Sequence, residues 1–251
     1  MKPYSIDINC DLGEGGSDSS LQHDASLMPF ISSCNIACGG HAGNPRTMHA
    51  TVQNAKTHRL KIGAHPSFPD QENFGRIAIK ISAKDLRVSI SEQLNSFAKI
   101  CHHQQVKYHH VKPHGALYNL AAQDQELATL LAEEIAKISE DIIFMGLANS
   151  LMQDAAQKVG IAFWQEGFID RLYHVNGHLV SRTHPMAVHK DVSTCLTQAL
   201  QLAQQEAIMT LENQPLTIAA DSLCLHGDNE EALTIAEQLF SFLKDNNITI
   251  A

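Results

Sequence analysis

The stretch I-D-I-N-C-D-L-G-E-G, residues 6–15, decides the reading of the fold. Ile6, Ile8, Cys10 and Leu12 alternate with polar residues, the period-2 signature of a strand, placed here over residues 4–12. The strand ends on Asp11 and passes into Gly13, Glu14 and Gly15, so reactive side chains and a glycine turn follow directly on an apolar run. The same arrangement returns along the chain.

Working outward, residues 32–38 and 60–65 read as further strands, with a helix from Pro45 to His58 between them. Residues 83–101 carry Leu86, Ile90, Leu94, Phe97 and Cys101 at helical spacing. A strand over 106–112, a helix over 124–138 and the apolar strand 142–147 follow, and Asn149 or Ser150 caps the next helix. Beyond the strand 161–166, residues 168–189 are irregular, with Asn176-Gly177 marking a hairpin turn. A helix over 191–209, a strand over 216–225, a helix over 229–244 and a short strand-like tail complete the chain. About seven βα units with no linker between them predict an α/β fold with a parallel sheet. A closed, irregular (β/α)7 TIM-like barrel occupying residues 1–251 as one domain is the expectation, and an open doubly wound sheet is the alternative.

Composition removes several classes. Eighteen basic against 27 acidic residues leave a net charge of −9, which argues against a nucleic-acid surface. No segment is apolar enough to span a bilayer, and the first ten residues lack the features of a signal peptide, which predicts a cytoplasmic protein. Six cysteines without a C-x-x-C pair read as reduced, buried thiols. Neither G-x-G-x-x-G, nor G-x-x-x-x-G-K-[ST], nor G-x-S-x-G occurs, so no complete nucleotide loop and no serine nucleophile elbow is expected.

The reactive residues gather at strand ends: Asp11 and Glu14, then His41, His65 and Asp70, then Lys112, His114 and Asn119, then Glu166, Asp170 and Arg171, and finally His226 and Asp228. In a parallel barrel all of these fall on the C-terminal face, where such folds build their sites. Histidine and carboxylate suit proton transfer, and lysine or arginine suits a developing negative charge. These types fit amide hydrolysis, and they also fit a divalent metal held by histidine and aspartate. Asp70 as a turn cap and Asp170–Arg171 as a structural ion pair are the bland alternatives.

At these strand ends the chain resembles the LamB/YcsF family. The resemblance rests on residues 6–15, N-I-A-C-G-G-H-A-G-N-P (35–45), G-A-H-P-S-F-P-D (63–70), F-G-R (74–76), H-V-K-P-H-G-A-L-Y-N (110–119), E-G-F-I-D-R-L-Y (166–173) and L-C-L-H-G-D (223–228). Gly40 and Asn44 depart from it, where the family usually has Phe and Asp. The resemblance implies a barrel related to carbohydrate deacetylases. It also implies ATP-dependent opening of 5-oxoproline to glutamate by a 5-oxoprolinase, in which this chain is the A component and works with partner subunits B and C.

On that basis Asp11, Glu14, His65, His114 and His226 are the expected catalytic residues. Asn35, His41, Lys112, Asn119, Glu166, Arg171 and Asp228 are the expected substrate contacts. Asp11, His41, His65 and His114 are the ligands if a metal is bound, with Mg as the ion accompanying ATP. The competing readings are a stand-alone metal-dependent deacetylase and a non-catalytic substrate-binding subunit.

Overall fold

The computed structural model describes residues 4–225, 227 and 232–251. Seven parallel strands close into a barrel: β1 (Tyr4–Leu12), β2 (Ser33–Ala37), β3 (Lys61–His65), β4 (Tyr108–Val111), β5 (Ile143–Leu147), β6 (Ala162–Phe168) and β9 (Ser222–Leu225). Closure is made by β1, which pairs with β2 on one side and β9 on the other. The start of β1, Tyr4 to Ile6, pairs instead with β10 (Ile248–Ile250), so β9 and β10 share one edge of the strand in succession. The barrel is therefore closed, and the open-sheet alternative falls.

The outer layer consists of α1 (Asp18–Leu27), α2 (Pro45–Thr57), α3 (Ala83–Gln104), α4 (Gly115–Ala121), α5 (Gln125–Ala136), α6 (Leu151–Val159), α7 (Val192–Ala203) and α8 (Ala232–Asp245). Two of these have no apolar period in the sequence. Only Leu27 of α1 is buried, and the helix is held at its start by a capping box at Ser17. Helix α4 is seven residues long and begins on the strand-end motif itself. The helix expected over 191–209 stops at Ala203, because the chain turns through a left-handed Gln205 (φ 58°). It continues as an antiparallel hairpin of β7 (Ala207–Met209) and β8 (Pro215–Thr217), which takes the first part of the expected strand 216–225. The Asn176-Gly177 turn is present, with Tyr173 bridging Leu179 and Gly177 at φ 84°.

The alternation in β1 sorts two environments. Ile6, Ile8, Cys10 and Leu12 belong to one large apolar cluster together with residues of the helices. Asp7, Asn9 and Asp11 point into the barrel, which is polar, unlike the branched aliphatic filling common to such barrels. Asp7 accepts from Ser32, Ser33 and Ser222, and from Lys61 at 3.2 Å. Asn9 donates to Ser222 and accepts from Asn35 and Lys112. His110 donates from Nε2 to Asn35 Oδ1 at 2.8 Å. Buried polar groups persist only when paired in this way.

Gly63 leaves the room for His110: a Cβ there would lie 2.2 Å from the imidazole Nε2. Gly63→Ala is therefore expected to push His110 off Asn35 and to cost about 1–3 kcal/mol by overpacking. Urea denaturation checks this, and an unchanged midpoint would contradict it.

Candidate active site

The C-terminal ends of β1 to β4 and β6 bring the reactive residues together. Asp11 ends β1 with its carboxylate held on two sides: Lys112 Nζ lies 2.8 Å from Oδ1, and Asn35 Nδ2 donates to the same oxygen at 2.8 Å. His65 Nε2 is 3.3 Å from Oδ2. Lys112, 2% exposed, also donates to Glu166 Oε1 at 2.8 Å and to Asn9 Oδ1 at 3.0 Å. Tyr118 donates to the other Glu166 oxygen at 2.7 Å. Burial disfavours the Lys112 ammonium, but the carboxylates, Asp11 first, outweigh it and hold its pKa well above the usual lysine range. Burial likewise opposes ionisation of Asp11, and His65 and Lys112 outweigh it to hold that carboxyl well below its usual range. Both groups are charged at neutral pH.

Beside this ion pair stand His41, His65 and His114 with Glu14. His41 and His114 stack at 3.7 Å with their rings within 6° of parallel, and His65 meets both edge-on. His65 Nδ1 lies 2.7 Å from the Lys112 carbonyl, and His114 Nε2 lies 3.0 Å from the Phe74 carbonyl. A carbonyl only accepts, so each of these nitrogens carries its proton. Burial first, then repulsion from neighbouring imidazoles, lowers the pKa of His41 to about 3 and of His114 to about 2. Both are neutral imidazoles at physiological pH.

Local sequence explains the placement. Gly115 adopts φ +58° directly after His114, and a Cβ there would strike the Gly75 carbonyl oxygen at 2.6 Å. Ala116 N donates to that same oxygen at 2.9 Å. The F-G-R segment (74–76) is thereby docked against the K-P-H-G segment, which puts the Phe74 carbonyl opposite His114. Asn44 caps α2, accepting from Arg46 N and Thr47 N. The amide at this departure thus serves the helix start, a task that aspartate shares. At Gly40 a side chain would collide with Ser67 Oγ and Gln93 Oε1 at 2.4 and 2.5 Å, so the buried Gln93 takes the space of any larger residue there.

A cavity of about 670 Å³ opens over the site. Asp11, Glu14, His65, Lys112, His114, Asn119 and Arg171 line it. Asn35, His41 and Glu166 do not: they lie buried behind its wall, with Asn35 and Glu166 engaged by protein partners. Asn119 donates to the Gly115 carbonyl. Arg171 donates through Nε and Nη2 to the carbonyls of Ala187 and Val180, which fixes its guanidinium in the wall. Asp70 organises a turn with Asn73. His226 and Asp228 lie outside the described residues. The structure adds two cations at the cavity that had no assigned part, Arg76 and Arg182. Arg76 sits in the quoted F-G-R motif, whereas Arg182 lies in the irregular stretch and has no motif to signal it.

The described side chains able to converge on one cation are Glu14, His41, His65 and His114, whose donor atoms all lie within 4.8 Å of one another. Glu14 takes the place expected for Asp11, which is committed to Lys112 and Asn35.

With this geometry in view, comparison with known proteins is decisive at the family level. The LamB/YcsF family pattern matches residues 6–251. The chain belongs to this family. It is 38% identical over 246 residues to the 5-oxoprolinase A subunit of Chloroflexus aggregans and 41% identical over 246 residues to that of Bacillus cytotoxicus, covering 98% of both chains in each case. Among solved structures, the lactam utilization protein from Thermus thermophilus superposes with a TM-score of 0.91 at 29% identity, again over 98% of each chain. No described helix is long and apolar enough to cross a membrane.

The turn carrying Glu14 depends on a residue of α1. Asp24 Oδ2 accepts from Gly13 N at 2.7 Å, while burial raises the Asp24 pKa to about 6. Its folded pKa lies above the unfolded value, so its contribution to stability is complete below about pH 4 and is lost as pH rises through 6. Asp24→Asn keeps an acceptor for Gly13 and carries no charge. The variant should be about 2 kcal/mol more stable than the parent at pH 7.5 and no more stable at pH 4. Thermal unfolding across that range tests the sign, and a gain that grows towards acid would refute the assignment.

Proposed function

We propose that this chain is the A component of an ATP-dependent 5-oxoprolinase, which opens the lactam of 5-oxoproline to glutamate in the cytoplasm together with subunits B and C. The observation that carries the reading is the ionised Asp11, held by Lys112 and Asn35 and facing an imidazole cluster at the floor of an arginine-lined cavity. The relatives' names, 5-oxoprolinase and lactam utilization protein, point to the same chemistry. The six buried thiols suit a reducing compartment.

A lactam carbonyl is a poor electrophile. Transfer of the ATP γ-phosphoryl group to the lactam oxygen makes the ring carbon attackable by water. The first water adds to that carbon, the ring C–N bond breaks, and the nitrogen takes a proton to become the amine. The γ-glutamyl phosphate so formed is hydrolysed by a second water to glutamate and phosphate.

In this scheme Asp11 is the base that accepts the proton of the attacking water and passes it to the leaving nitrogen, and His65, with Nε2 3.3 Å from Asp11 Oδ2, orients that carboxylate. Arg171 and Arg182, with Arg76, hold the substrate carboxylate or the phosphate by charge-assisted hydrogen bonds. Lys112 acts through Asp11 and Glu166: its ammonium is directed at both of them, and its charge helps to keep the Asp11 carboxylate ionised. Nucleotide and Mg chemistry is assigned to subunits B and C, because this sequence lacks the phosphate-loop patterns.

The test is glutamate release from 5-oxoproline and ATP, by this chain alone and with its B and C partners. Activity is expected only in the full mixture. Asp11→Asn should lower kcat by about 10²–10⁴-fold with the circular dichroism spectrum intact. Full activity of that variant, or no activity from the complete folded mixture, sinks the reading.

A further inference from the structure

We propose that Glu14, His41, His65 and His114 form a binding site for one divalent transition-metal ion of the zinc class. The four residues come from four successive strand ends, those of β1, β2, β3 and β4, so the barrel itself sets their spacing. The histidines are 2%, 1% and 7% exposed in chain order, so all three rings are largely desolvated.

The spacing matches a coordination shell. Bonds of about 2.1 Å in a tetrahedron imply ligand–ligand edges of about 3.4 Å. The observed edges are 3.0 Å for His41 Nε2 to Glu14 Oε1, 3.0 Å for His65 Nε2 to His114 Nδ1, and 3.5 Å for His114 Nδ1 to Glu14 Oε1.

The proton positions match as well. The carbonyls of Lys112 and Phe74 claim the N–H groups of His65 Nδ1 and His114 Nε2. This leaves His65 Nε2 and His114 Nδ1 facing one another at 3.0 Å, with Asp11 Oδ2 beside them at 3.3 Å from the His65 nitrogen. Both nitrogens point at the same space, where one ion would be within bonding reach of each. Ring nitrogens pinned from behind by backbone carbonyls are the usual outer arrangement of metal-binding histidines.

A single proton shared by His65 and His114 would account for that edge alone. It would leave His41 unexplained. That ring is buried, and among the described residues its Nδ1 has no hydrogen-bond partner while its Nε2 lies 3.0 Å from Glu14 Oε1. An imidazole desolvated for one hydrogen bond is costly; one that supplies a metal bond is not. Three imidazoles and one carboxylate select zinc, cobalt, nickel or iron over Mg, which prefers an all-oxygen octahedron. Glu14, His65 and His114 also line the cavity, so an ion held here faces it beside Asp11. The site stands on these four side chains and does not depend on the lactam reading.

The experiment uses the full chain without substrate. Metal content is measured after purification; the chain is then stripped with a chelator and titrated with Co(II), following visible absorption. About one equivalent of transition metal per chain is expected, with d–d bands of a nitrogen- and oxygen-ligated low-symmetry site. Glu14→Gln and His114→Ala should each weaken Co(II) binding by at least about tenfold, whereas Asp154→Asn, at an exposed position of α6, should not. Parent protein that is folded by circular dichroism but takes up no Co(II) overturns the proposal. So does Co(II) uptake with the same affinity and spectrum in parent and folded ligand variants. Because the parent spectrum is informative alone, a ligand variant that fails to fold leaves the test intact, and an inactive 5-oxoprolinase assay does not bear on it.

Discussion

The ammonium of Lys112, sunk between Asp11 and Glu166, is the constraint around which the barrel is arranged. A buried lysine stays charged only beside a carboxylate, and the buried Asp11 carboxylate stays ionised only beside a cation. Removing Lys112 leaves the buried Asp11 carboxylate without its cation and Glu166 without that donor, so the lysine is the member the other two cannot do without. What the trio supplies is orientation more than stability. Asp11 is turned so that Oδ1 faces the interior and Oδ2 faces His65. The backbone of Lys112 also offers its carbonyl to His65, so one residue fixes both the carboxylate and the imidazole next to it.

From that trio the polar order runs downwards. Asn35 links Asp11 to Asn9 and His110, Asn9 reaches Ser222, and Ser222 reaches Asp7 near the opposite end. The barrel axis is thus a ladder of paired hydrogen bonds with a charged group towards each end. An aliphatic filling would tolerate small shifts of one strand against another. A ladder with fixed donors and acceptors does not, and the strand ends inherit that definition.

The sequence made the frame legible because strand alternation and helical spacing are local. Ile6 to Leu12 and Leu86 to Cys101 carry their pattern within one element. Helix α1 was invisible for the opposite reason: it is polar throughout, packs chiefly through Leu27, and stands on a serine capping box. The β7–β8 hairpin was hidden by a left-handed Gln205, a residue type that gives no warning of a turn. At the site, strand-end position correctly pointed to one face of the fold. It could not say that Asn35 and Glu166 would meet protein partners behind the cavity wall. Nor could it say that Glu14, three residues beyond Asp11, would be the carboxylate that joins the histidines. Those facts depend on which neighbour each side chain finds across the barrel, and no spacing along the chain encodes that.

Strand β1 is gripped along one side by β10 and then β9, segments more than 200 residues away. A ribosome delivers β1 first and these two strands last. Until they emerge, Asp7 and Asn9 have no Ser222 to meet, and one edge of the first strand has no ladder to join. The ring cannot be sealed before β9 and β10 have been made, whatever order the helices form in. A nascent chain of this protein therefore carries an open strand edge from the synthesis of β1 until that of β9 and β10, which is the period in which a holding chaperone would have most to protect.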